Sequence, residues 1–146
     1  MARPAVGGVS ESALPPRAVK ALIATEIVSA ICGFAGGIPL TIDPSGKLLG
    51  MPLDHLNGLP IQDFLLPGLW LLLVFGVGLS VTAYGLWAHR PWSYMLALSL
   101  GVVWIGWVSF ELYLWGLDAV VAVWFVFPLA ALYLLSRGDS RNYLTA

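Results

Sequence analysis

Four long apolar stretches alternate with short polar breaks along the 146-residue chain. They run over 18–40, 64–87, 92–116 and 119–135. Each approaches the ~20 residues that a helix needs to cross ~30 Å of hydrocarbon. Helices are the expected form, because a helix pairs its own backbone groups where no water can. The second and third stretches are separated by "AHRP" and the third and fourth by "GLD". Connections this short make neighbours antiparallel, so the pattern predicts an all-α membrane protein, an up-down four-transmembrane-helix bundle.

The break at 41–63 is longer and differently built. Its "DPSG" core puts Pro44 at the second position of a turn opened by Asp43, and Gly46 where positive φ is wanted. With "IPLTI" and "KLLGM" on either side, the segment predicts a small β-hairpin cap with strands 39–42 and 47–50. "PLDHLNG" predicts one helical turn over 52–57, begun by Pro52 and ended at Asn57-Gly58. Asp63 stands at the N-cap of the second span, and Pro67 falls in its first turn, where a missing N–H costs little. Asp54 and His55 are sequence neighbours and diverge on a helical turn, which weighs against an acid–base pair.

Composition agrees with the pattern. Hydrophobic residues make up 59% of the chain and charged residues 10%, with a mean hydropathy of +0.86; soluble domains carry about 25% charged residues. The solvent implied is the lipid bilayer. Arg3, Arg17, Lys20, Arg90, Arg137 and Arg141 fall on one side of the predicted bundle and only Lys47 on the other. The positive-inside rule then places both termini in the cytoplasm and the 41–63 loop outside. The expected organisation is a cytoplasmic tail at 1–17, a transmembrane domain at 18–136 and a cytoplasmic tail at 137–146, both tails mobile and solvated. A cleaved signal peptide fits the first span poorly because Glu26 interrupts it, and Ile31 before Cys32 fits a lipoprotein site poorly.

A net charge of -1 offers no attraction for nucleic acid. A single cysteine excludes an internal disulfide and a paired-thiol redox site. No cofactor, metal cluster or catalytic constellation is predicted, and no histidine lies within a span.

The order "GG…DPSG…LG.PL..L.G.P..DFLLPGLWLLLVFGVG", a tight "RPW" turn and "WIGW", over about 36–107, resembles a widespread group of small bacterial four-helix membrane proteins. The resemblance implies the fold and a bacterial plasma-membrane setting. It attaches no activity and carries over no site residue.

Two carboxylates fall inside spans, and an ionisable group at membrane depth points to function by default. Glu26 shares a face with Ala30, Gly33 and Gly37, and small residues on a helix face allow close approach. Glu111 shares a face with Gly101, Trp104 and Val108. The bland reading is a neutral glutamic acid hydrogen-bonded to Ser80, Thr82, Tyr84, Ser109 or Tyr113. The two should differ in depth by roughly 10–15 Å, too far to act on one bond. Three functions follow. The first is a non-catalytic accessory subunit or homo-oligomer packing through the glycine face against a membrane-protein partner or another copy. The second is a proton- or cation-coupled carrier using Glu26 or Glu111. The third is a binder of a lipid or quinone, or a membrane enzyme, with an outer cavity bounded by Glu111, Trp104, Trp107, Tyr113, Asp63 and the loop.

Overall fold

A computed structural model describes residues 15–117 and 119–145, so the predicted tail over 1–14 lies outside the described residues. The fold is all-helical. Four helices are long and apolar enough to cross a membrane: α1 (Arg17–Ile42), α2 (Leu65–Trp87), α3 (Ser93–Trp115) and α4 (Ala119–Ser136). A fifth, α5 (Gly138–Thr145), is short and polar. The helix bounds fall within two residues of the predicted spans.

The connections place the helix ends together. Val19, Leu22, Leu86, Ala97, Leu135 and Leu144 form one buried cluster, which gathers all five helices at the end where α1 begins and α4 leads into α5, here the terminal end. Leu40, Leu56 and Phe64 form another at the opposite, loop end. The outward faces are as apolar as the inward ones: Ile27, Ile31, Leu73, Val102, Val126 and Leu129 are all exposed. In water that surface would be an aggregation liability; in hydrocarbon it is the solvated face.

Helix interfaces rest on small residues. The buried stripe of α1 runs Val19, Leu22, Glu26, Ala30, Gly33, Gly37 and Leu40, at helical spacing. A Cβ on Gly33 would come within 2.6 Å of the Gly76 nitrogen, and one on Gly37 within 2.5 Å of the Leu72 nitrogen. From the other side, a Cβ on Gly68 would meet Leu40 Cβ at 2.7 Å. The predicted glycine face is therefore buried against the chain's own α2. Residues 71–78 of α2 form a π-helical stretch, an unusually long run of the wide i→i+5 turn. This stretch carries Leu72, Phe75 and Gly76 onto α1.

The loop does not form the predicted β-hairpin; among the described residues there is no strand. Residues 39–42 remain in the last turn of α1, where the Asp43 N–H donates to the Pro39 carbonyl at 2.9 Å and the Thr41 hydroxyl to the Gly37 carbonyl at 2.7 Å. Pro39 forfeits one helix bond without breaking the helix. The second predicted strand is a 3-10 turn, Lys47–Leu49. The turn itself is as read: Gly46 has φ 79°, and Asp43 Oδ1 accepts from the Ser45 hydroxyl at 2.7 Å and its N–H at 3.1 Å. A 3-10 turn over Leu53–Leu56 follows Pro52 and ends at Asn57. The Phe64 N–H then donates to the Pro44 carbonyl at 2.9 Å and closes the loop.

The segment 137–146 also departs from expectation. Its described part is not a mobile tail but α5, packed on the terminal end with Ser140 and Leu144 buried. The Tyr143 ring lies 4.4 Å from that of His89, whose Nε2 donates to the Tyr143 carbonyl. His89 itself has φ 51°, the left-handed residue that reverses the chain between α2 and α3.

Two consequences are measurable. Gly33→Ala and Gly37→Ala each push a methyl into backbone, and thermal unfolding in micelles should show a loss of about 1–3 kcal/mol for each; Gly106→Ala, which meets nothing within 4 Å, should be near neutral. The Ser45 hydroxyl and N–H, with Lys47 adding less, hold the Asp43 carboxyl below its usual range. The folded loop therefore keeps this contribution above about pH 4, where the unfolded chain's Asp43 is ionised, and loses it as pH falls further. Pepsin nicking of the loop, measured relative to cleavage of an unstructured reference peptide at each pH, should rise as pH is lowered from about 4 to about 2, and Asp43→Asn should reduce that relative rise.

Candidate functional site

The four spans are not evenly joined. α1 contacts α2 along its length, and α3 packs on α4. α2 meets α3 mainly through its terminal-end part, and the two backbones part toward the loop. Side chains, not backbone, bridge the space. Trp104 lies 5.1 Å from Phe75 and 5.9 Å from Trp124, and Trp107 stacks on Trp70 at 5.7 Å, ring centre to ring centre. Trp104 is buried, 4% exposed, and forms the floor between the two helix pairs.

Above this floor is a cavity of about 960 Å3. Its walls are Cys32, Gly33 and Gly36 of α1, Trp70, Leu71 and Phe75 of α2, Trp107, Val108 and Glu111 of α3, and Val121 and Trp124 of α4. The loop covers it with Leu49, Met51, His55, Leu56, Leu59 and Ile61. A shallower groove of about 430 Å3, lined by Ile23, Ile27, Phe34, Tyr84 and Trp87, holds no carboxylate, imidazole or amine.

The polar groups of the cavity are few. The Trp107 indole N–H donates to Glu111 Oε1 at 2.7 Å, a bond along one helix face between residues four apart. The carboxyl is thereby held against the wall one turn from the loop end of α3. Across the cavity mouth, the Trp115 indole N–H donates to the His55 carbonyl at 3.0 Å, with the His55 ring 5.9 Å from that of Trp115. This pair fastens the loop to α3. Ser29 lines the floor, but its hydroxyl is committed to the Thr25 carbonyl at 2.7 Å.

The predicted site residues divide. Glu111, Trp104 and Trp107 come together on the cavity. Tyr113 does not: it is 86% exposed on the opposite face of α3. Asp63 does not line the cavity either, and it stands one residue before the N-cap expected of it, which is Phe64; its Oδ1 accepts the Leu65 N–H at 3.0 Å. Glu26 lies elsewhere, 2% exposed in the closed half of the bundle. Ala30, Gly33 and Gly37 share its stripe. Asp43, Pro44 and Gly46 build the lid's turn. The hydroxyls proposed as carboxyl partners bond their own helices instead: Ser80 to the Gly76 carbonyl, Thr82 to Gly78 and Ser109 to Ile105. Sequence reasoning missed Cys32, Gly36 and Trp70 as cavity walls. The Trp107–Glu111 spacing of four was a readable signal for the bond that forms.

No family model matches the chain, and neither a curated protein nor a solved structure does.

Trp115→Phe keeps the ring and removes the donor to His55. Hydrogen exchange over residues 51–61 should accelerate about fivefold, the equivalent of ~1 kcal/mol for one net hydrogen bond.

Proposed function

We propose that this chain is a small integral protein of a bacterial plasma membrane that binds a lipophilic ligand in the loop-capped cavity, without catalysing a reaction on it. The observation that carries this reading is a large chamber with aromatic and aliphatic walls, opening where the bundle parts, with one carboxyl held in place. Ligand sites have this make-up: concave, mostly apolar, with a few placed polar groups. The exposed Arg17, Lys20, Arg90, Arg137 and Arg141 at the terminal end, against Lys47 in the loop, support cytoplasmic termini and a lid on the outer side.

The other readings have less behind them. Gly33 and Gly37 are used up against α2 and leave no glycine face for a partner subunit or a second copy. A relay through Glu26 would need a path to it, and Glu26 lines neither the chamber nor the groove. A membrane enzyme would need a reacting pair; the chamber's thiol, imidazole and carboxyl stand on three separate elements, and its Ser29 hydroxyl, on α1 with the thiol, is bonded to the Thr25 carbonyl.

Cys32 is the only cysteine and lines the chamber, so it reports occupancy. The uncharged probe N-phenyl-1-naphthylamine should bind the purified protein and slow labelling of Cys32 by N-ethylmaleimide in proportion to occupancy. Cys32→Phe, which fills the space with a ring, should weaken probe binding by about tenfold, the loss of a few well-packed apolar contacts. Labelling indifferent to the probe, together with unchanged probe affinity in Cys32→Phe, would sink this reading.

A further inference from the structure

We propose that the ligand is a free lipophilic organic cation, an ammonium or phosphonium centre on an apolar body, whose charge is bound by Glu111 and the surrounding indoles. This rests on the cavity being a ligand site and adds the sign of the charge. Glu111 is the only carboxylate among the described lining residues, and no lysine or arginine is among them. An anionic headgroup would enter a low-dielectric chamber with no basic side chain opposite, a costly arrangement. A cation meets the reverse.

Trp107 contributes twice. Its N–H donates to Glu111 Oε1 at 2.7 Å, and its ring stacks on Trp70 at 5.7 Å, with Phe110 6.2 Å away. The carboxyl and the electron-rich ring faces are therefore one fixed unit. Organic cations are recognised by such faces, more strongly where the bound cation is desolvated. Depth supplies the rest. Glu111 sits toward the mouth while Phe75 and Trp104 line the apolar floor, so a charged head would be held at the mouth with its hydrocarbon inward. A zwitterionic lipid offers the same ammonium but brings a phosphate that no lysine or arginine of the chamber would meet, which favours a free cation.

Tetraphenylphosphonium and tetraphenylborate are nearly equal in size and opposite in charge, and they test the sign directly. In neutral maltoside micelles, after correction for partition into empty micelles, the phosphonium should bind at least about tenfold more tightly. In Glu111→Gln the ratio should fall to about one, while Glu111→Asp, which keeps the carboxylate, should keep the preference. Retention in Glu111→Asp separates loss of charge from loss of fold. Equal affinity for the two ions in the unmodified protein, or an unchanged ratio in Glu111→Gln, would overturn the cation assignment. In that event binding of N-phenyl-1-naphthylamine with protection of Cys32 would leave the cavity reading standing; no binding of any of the three probes would remove both. Displacement of the phosphonium by a short-chain phosphocholine would overturn the free cation in favour of a lipid headgroup.

Discussion

The backbone contact between α1 and α2 governs the rest of the molecule. Gly33 and Gly37 let α1 lie so close to the π-helical stretch that an added methyl would strike the backbone nitrogens of Gly76 and Leu72. In a bilayer no hydrophobic effect drives helices together, so association rests on packing of this kind, with dispersion gained along the full contact. Once α1 is seated on α2, Pro39 and Thr41 carry α1 through its last turn to Ile42. The loop must then return to Leu65 from a point beside its own start, and the Phe64-to-Pro44 hydrogen bond closes that circuit. The α3–α4 pair joins this unit at the terminal end, where Leu86, Ala97, Ala131 and Leu135 interlock. Toward the loop the two pairs stand apart and large rings span the difference. Glycine contact on one side and indole spacers on the other are complementary: the first fixes the helix pair, the second leaves room that a lattice of small side chains would have closed.

The readable parts of this fold are those decided by period and length. Apolar runs of membrane length gave helix bounds within two residues, and the stripe Glu26, Ala30, Gly33, Gly37 is buried as its spacing implied. The loop was misread because turn chemistry is local while strand pairing is not. Asp43, Pro44 and Gly46 do make the turn, but a strand over 39–42 had to compete with a helix already running through 18–38, and adding turns to an existing helix costs less than nucleating a hairpin. The helix α5 was overlooked because "SRGDSRNYLTA" contains no long apolar run. Its burial depends on two residues four apart, Ser140 and Leu144, and on a cleft made by other helices. The cavity was posed as a question by sequence and became visible only with the parting of α2 from α3, a property of tertiary packing that no single segment records.

The two intramembrane carboxyls show why depth alone does not define a site. Glu26 and Glu111 were equally conspicuous in sequence. Glu26 occupies the closed half, with Thr82 also buried there but its hydroxyl turned to its own helix carbonyl. Glu111 occupies the open half, with a specific donor one turn before it and a chamber in front of it. The same residue type is enclosed by one packing mode and presented by the other, so the seam between helix pairs decides which carboxyl a ligand can reach.

The same asymmetry bears on access. The lid is continuous with α1 and α2 at its two ends, and its buried anchors, Leu56 and Phe64, pack on Leu40 of that same helix pair. On the α3 side the described residues hold it through the indole-to-carbonyl hydrogen bond and the tilted ring contact of Trp115 with His55. A net hydrogen bond is worth ~1 kcal/mol, whereas separating the glycine seam would forfeit packing over several helical turns. On the proposed ligand-binding reading, the weaker edge is the route of opening, with the lid lifting from α3 while the bundle stays joined. The proposed amphiphile, entering there, would pass Trp115 and reach Glu111 before the floor, which is the order of contacts that a charged head with an apolar body requires.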